Sequence, residues 1–146
     1  MIIHEASEKD SLTLAQMAKE IWDNDNLLEL EKEFIDMIHN KNETAFILRE
    51  GDLAVAFANV SLRYDYVEGT DSSPVGYLEG IFVKEAYRNK SYGKSLVKKC
   101  EEWARDRGAI EFASDCLLDN RDSFLFHLAI GFIETNRIIC FKKSIS

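Results

Sequence analysis

Residues 75–84, VGYLEGIFVK, read as a strand in the middle of a sheet, with Glu79 at its centre among tyrosine, leucine, isoleucine, phenylalanine and valine. A carboxylate in such a strand costs free energy unless a cation meets it. The segment therefore constrains the chain twice. A sheet must be built around it, and something cationic must reach its centre, either from the protein or from a ligand.

The rest of the pattern supplies that sheet. MIIHEA reads as a first strand, and Ser7 with Asp10 forms a capping-box signature that opens a helix carrying Leu14, Ala18, Ile21 and Trp22. A second helix after DND places Leu27, Leu30, Phe34 and Met37 or Ile38 on one face, while Glu29, Glu31 and Glu33 read as its solvated side. TAFILRE and LAVAFANVSLR are strands joined at Gly51-Asp52, a hairpin turn. Residues 64–74, YDYVEGTDSSP, are a polar loop. After the glutamate-bearing strand comes a long helix with Leu96, Val97, Cys100, Trp103 and Ala104, closed by Gly108. AIEFASDC is a strand, NRDSFLFHLAIG a short helix with Phe124, Phe126 and Leu128, and FIETNRIICFKK a final strand or strand pair. This order predicts one α/β (α+β) domain over residues 1–146, a mixed central sheet flanked by helices.

Composition narrows the function. With 46% apolar and 30% charged residues the chain can bury a core, which argues against disorder. A formal charge of −8 argues against a nucleic-acid partner and suits a polycationic small molecule, although acidity also serves solubility. No stretch approaches the ~20 apolar residues of a membrane span, and the first residues lack a basic leader, so a cytoplasmic protein is expected. Cys100, Cys116 and Cys140 are odd in number and scattered, which predicts reduced thiols and no metal site.

The segment YRNKSYGK, residues 87–94, leads into the long helix through a short basic loop. A helix N-terminus with free amides beside Arg88, Lys90 and Lys94 is a ready anion site, although such a fragment often makes only a solvated turn. The order of parts is more telling. An apolar strand, Arg-x-x-Ser-x-Gly, a long helix, a strand, an asparagine, a short helix and GF resemble the GNAT family of acetyl-CoA-dependent N-acetyltransferases over essentially the whole chain. The longer strings SLRYDYVEGTDSSPVGYLEGIFV, EFASD and DN…S…H…GF.ET resemble, more narrowly, the aminoglycoside 6′-N-acetyltransferases within it.

The resemblance implies a set of site residues. Backbone groups of Ile81, Phe82 and Val83 would hold the pantetheine arm, and Arg88, Asn89, Lys90, Ser91, Tyr92, Gly93 and Lys94 would wrap the pyrophosphate of acetyl-CoA. Ser91 stands where the first glycine is usual and keeps phosphate binding if its φ is negative. Trp22, Tyr66, Glu79 and Asp115 fall where the narrower family lines its substrate pocket, with Asp25 beside Trp22, and Asn120 falls at the cofactor. Asn136 takes a position that is often acidic. Three of them have a plainer alternative: core for Trp22, a salt bridge for Glu79, a cap for Asp115.

On this reading Glu79 meets an ammonium group that arrives with the antibiotic. Transfer of an acetyl group to an amine also needs a proton acceptor, and Asp115 is the expected base, with Glu79 as anchor or alternate base. His127 sits where many of these enzymes carry an acid for the departing thiolate, or else is a packed helix residue. The expected activity is direct attack of the 6′-amino group on acetyl-CoA in a ternary complex, by an enzyme that is a homodimer like its relatives. An acetyltransferase of polyamines or protein amines, or a silent acyl-CoA-binding module, are the competing readings.

Overall fold

The computed structural model describes residues 1–22 and 25–146. Five strands form one sheet in the order of the chain: β1 (Ile2–Glu5), β2 (Glu43–Glu50), β3 (Leu53–Arg63), β4 (Val75–Val83) and β5 (Phe112–Ala113). The first four pair antiparallel, and β4 pairs with β5 in parallel, so the sheet is mixed as expected. Four α-helices accompany them: α1 (Ser11–Ala18), α2 (Leu27–Ile38), α3 (Tyr92–Asp106) and α4 (Arg121–Ala129).

Local chemistry sets the boundaries. The Ser7 amide donates to Asp10 Oδ2 at 2.9 Å, so the predicted capping box is present and opens a one-turn 3-10 helix that runs into α1. Asn26 caps α2 by accepting from the Glu29 amide at 3.1 Å. The hairpin between β2 and β3 turns through Gly51 and Asp52, as the sequence predicts. α1 stops at Ala18, short of the predicted extension, and Ile21 and Trp22 lie in the turn beyond it.

Two apolar layers sandwich the sheet. On one face Phe46, Leu48, Ala56, Ala58, Val60, Leu62 and Leu78 pack against Leu96, Val97, Cys100 and Trp103 of α3. On the other, Ala45, Ile47, Phe57 and Phe82 meet Leu14, Ala15 and Ala18 of α1 and Leu30, Phe34 and Met37 of α2. The alternation along β2 and β3 sorts residues to the two faces with the two-residue period of a strand.

β4 breaks that period. Leu78 lies opposite Val60 and Gly80 opposite Asn59, so Glu79 is the extra residue of a β-bulge. Leu78, Ile81 and Val83 thereby all reach the α3 layer, although Leu78 and Ile81 would face opposite ways in a regular strand, and Phe82 reaches the α1–α2 layer.

The C-terminal part departs from the sequence reading. AIEFASDC forms only the two-residue β5, and residues 132–146 form no strand. Ile133, Ile138, Ile139, Phe141 and Ile145 are exposed, Phe141 by 90%. A strand exists only against a partner edge, and among the described residues this segment meets none.

Candidate active site

The face of the sheet that carries Ala45, Ile47 and Phe57 is only half covered by α1 and α2. Beyond them the same positions turn polar: Glu43 on β2, Asn59, Ser61 and Arg63 on β3, and Tyr77 and the bulged Glu79 on β4. Asp115 follows β5 and joins this floor, because the Tyr77 hydroxyl donates to Asp115 Oδ2. Loop residue Val67 packs on Val75 and Tyr77 and closes one end.

Glu79 already has its cation, and it belongs to the protein. Arg63 Nε donates to Glu79 Oε2 at 3.0 Å and Nη2 to Oε1 at 2.7 Å, a bidentate pair, while Ser61 Oγ donates to Oε2 at 2.5 Å. Of the two sources the sequence left open, the chain alone shows the internal one, a salt bridge to Arg63. The Arg63 guanidinium also lies 3.4 Å from the centre of the Tyr77 ring, so one side chain ties the phenol to the carboxylate. The bond to Glu79 raises the guanidinium's pKa further and keeps it a cation.

Partial burial on the floor shifts two of its groups. Burial, and then the hydrogen bond to the charged Asp115, push the Tyr77 hydroxyl well above the ordinary phenol range, so it remains a donor. Glu43 is raised first by burial and then by the negative charge of Glu79, with Asn59 and Arg63 acting against the rise. The sequence reading named none of Glu43, Ser61, Arg63 and Tyr77. Tyr77 was within reach, since it stands two residues before Glu79, but Arg63 and Glu43 require the strand register.

The other expected substrate residues are more dispersed. Trp22 stacks on Phe34 at 5.8 Å and meets Phe57 edge-on at 6.2 Å, so it is half-buried in the core at the border of the floor. A Cβ on Gly80 would come within 2.8 Å of the indole, so the glycine is what admits it. Tyr66 is 75% exposed, and its hydroxyl accepts from the Gly69 amide at 3.3 Å. Asp25 is exposed, and its neighbour Asp23 lies outside the described residues. Asn136 donates to Glu68 at 2.8 Å and so joins the 64–74 loop, with no hydrogen bond to the floor among the described residues.

Past the floor, one edge of β4 is left open. Its pairing with β5 is confined to Gly76–Phe112 and Tyr77–Ala113, and beyond that point the β5-side edge of β4 has no strand partner among the described residues. At the parting point Ser114 Oγ lies 3.3 Å from the Leu78 carbonyl oxygen and 2.8 Å from His127 Nε2. His127 Nδ1 donates to the Ser123 carbonyl at 2.7 Å, and the ring packs between Phe126 and Phe132. Both ring nitrogens are engaged, which favours the packing role over the acid.

The free edge runs into the basic loop. Arg88 Nε donates to the Val83 carbonyl at 2.9 Å, turning the chain towards α3. Asn89 and Ser91 both hold left-handed backbone, at φ 65° and 64°. The condition of a negative φ at Ser91 is therefore not met: the serine adopts the conformation a glycine would have taken, at a cost of roughly 1 kcal/mol. Gly93 is needed for a different reason from a special φ. It is the second residue of α3, where a Cβ would come within 2.8 Å of Phe126 on α4 and 3.6 Å of Ile81. Tyr92 is bonded through its hydroxyl to Glu50, Lys90 lies over the Tyr87 ring, and Asn120 caps α4 by accepting from the Ser123 amide at 3.1 Å. Open amides at the start of α3, a left-handed turn and nearby cations fit a phosphate-bearing ligand. Among the described residues no group of side chains could hold a metal ion, and no helix is long and apolar enough to cross a membrane.

A parallel strand pair that parts beside a phosphate-ready loop fits the acetyl-CoA-dependent acyltransferase class that the sequence resemblance implies. The profile of the acetyltransferase (GNAT) family matches residues 12–132, and the chain belongs to that family. An aminoglycoside N(6′)-acetyltransferase type 1 from Serratia marcescens is 40% identical over 126 residues, 86% of each chain. One from Acinetobacter haemolyticus is 36% identical and covers 97% of this chain and 94% of its own. Among solved structures, the apo aminoglycoside 6′-N-acetyltransferase AAC(6′)-Ig of A. haemolyticus superposes with a TM-score of 0.95 at 34% identity, covering all of both chains. AAC(6′)-Iy in complex with a bisubstrate analogue, CoA-S-monomethyl-acetylneamine, gives 0.88 at 33% identity, covering 98% of this chain and 97% of its own.

Proposed function

We propose that the chain transfers the acetyl group of acetyl-CoA to the 6′-amino group of an aminoglycoside, by direct attack in a ternary complex. The observation that carries this reading is the bare polar floor, with Glu43, Glu79 and Asp115 set beside the point where β4 and β5 part. A polycation suits the floor, and the free edge of Ile81, Phe82 and Val83 followed by the Arg88–Lys94 loop suits acetyl-CoA. The full-length likeness to aminoglycoside acetyltransferases supports the same pairing.

The residues divide the work by their surroundings. Asp115 is exposed and is aimed by Tyr77, so it can accept a proton from the substrate ammonium, directly or through water. Glu79, held by Ser61 and Arg63, stays in place as an electrostatic anchor. On this reading Trp22, Asp25, Tyr66 and Asn136 would contact the substrate, and Asn120 would contact the cofactor. Loss of the proton frees the nitrogen lone pair, which forms the C–N bond as the C–S bond breaks, and the thiolate takes up a proton.

The test is thiol release from acetyl-CoA with kanamycin, spermidine and a lysine peptide in parallel. Turnover confined to the aminoglycoside is expected. Turnover only with spermidine or peptide would move the enzyme to another amine, and binding without turnover would make it a silent module. With the aminoglycoside, Asp115→Asn should lower turnover by about a hundredfold, less at high pH where the amine is already neutral. Ser91→Gly should tighten acetyl-CoA binding and stabilise the fold by about 1 kcal/mol, read by calorimetry and thermal melting.

The enzyme is further read as a homodimer in the cytoplasm, where its free thiols stay reduced. Exposed Ile138, Ile139 and Phe141 on a segment without a strand partner support pairing with a second copy of the chain. Sedimentation should give twice the chain mass, and Phe141→Asp should shift it towards the monomer.

A further inference from the structure

The Glu79 carboxylate has room for about four hydrogen bonds, and three of them are taken, one by Ser61 and two by Arg63. An ammonium group can lie fully against Glu79 only if Arg63 shares the carboxylate or leaves it. Arg63 is built so that it can leave. It is the last residue of β3, and its side chain is 42% exposed against 25% for Glu79. Its planar group rests on the Tyr77 ring, a surface it can keep while releasing the carboxylate.

We propose that Arg63 determines specificity as an internal cation: it occupies the ammonium seat at Glu79 and is exchanged for an amino group of the substrate. The inference rests on the reading that this floor receives the aminoglycoside. A substrate must then bring an amine that reaches Glu79 and outcompetes a bidentate guanidinium, so a molecule with one amine at the reacting centre alone is disfavoured. The exchange swaps one cation for another. It also keeps the half-buried carboxylates Glu43 and Glu79 from facing each other unneutralised when no substrate is bound.

The test compares Arg63→Met, which keeps an apolar stem over Tyr77 but removes the charge, with Arg63→Lys, Glu79→Gln and the Arg63→Met/Glu79→Gln double variant. Kanamycin kinetics are measured at low and high salt, with thermal melting as the check on folding. Arg63→Met should lower KM about fivefold to tenfold and make it rise more steeply with salt, because Glu79 is left bare for the polycation. Glu79→Gln should raise KM, and the double variant should match Glu79→Gln alone. Arg63→Lys, a cation without the fork, should fall between parent and Arg63→Met, and it serves alone if the methionine variant does not fold. A raised or unchanged KM in the Arg63 variants beside a raised KM in Glu79→Gln would overturn the proposal and make Arg63 a prop for Glu79. If Glu79→Gln leaves KM unchanged as well, the floor is not the aminoglycoside site and the broader reading fails with it.

Discussion

The two halves of one sheet face behave as different materials. Under α1 and α2, Ala45, Ile47, Phe57 and Phe82 are buried, with Phe57 wholly inaccessible. A few residues further along the same strands, Glu43, Asn59, Ser61, Arg63 and Glu79 bind one another instead. The opposite face stays apolar along the same strands, from Leu48 and Ala56 through Val60 and Leu62 to Leu78. That unbroken layer holds the register, and it lets the bare half carry charges without loosening the strands that bear them.

If the division is real, substitutions in the two halves should fail in different ways. Phe57→Ala, in the covered half, should cost about 3–5 kcal/mol of stability, read by denaturant melts, while folded molecules retain their KM. Tyr77→Phe, in the bare half, should lower kcat about tenfold with little effect on KM, since its hydroxyl bonds a charged group and aims Asp115. Equal losses of stability in the two variants would erase the distinction. Glu43→Gln should have the smallest effect and the most telling sign. Because burial raises the Glu43 pKa, its ionised form opposes folding once the pH exceeds that raised value, and its cost vanishes below the unfolded pKa. The variant should therefore melt slightly higher than the parent at neutral pH, match it in acid, and bind the aminoglycoside less tightly.

Much of this was legible in the sequence, wherever local chemistry decides. The capping box at Ser7 and Asp10, the Gly51-Asp52 turn, the apolar stripes of α2 and α3 and the mixed sheet follow from patterns within about a dozen residues. The bulge did not show itself, because Leu78, Ile81 and Val83 read as part of one apolar run whatever side they take. The partner of Glu79 stayed hidden for the same reason. Arg63 is sixteen residues away and meets it only through the β3–β4 register. The steric reason for Gly93 was equally hidden, because the atom a Cβ would meet belongs to Phe126, 33 residues later on α4. The final strand was misjudged because its apolar residues look the same whether their partner lies in the same chain or elsewhere.

The bulge at Glu79 makes a point about evolutionary change. One residue supplies both a carboxylate and a phase correction, so replacing it and deleting it are unrelated events. A replacement alters what the floor attracts and leaves the chain in step. A deletion would shift every residue after it by half a period, sending Ile81 and Val83 towards α1 and α2 and Phe82 towards α3. The identity of residue 79 is thus set by Ser61 and Arg63 around its carboxylate, while its existence as a residue is set by the buried layers on either side.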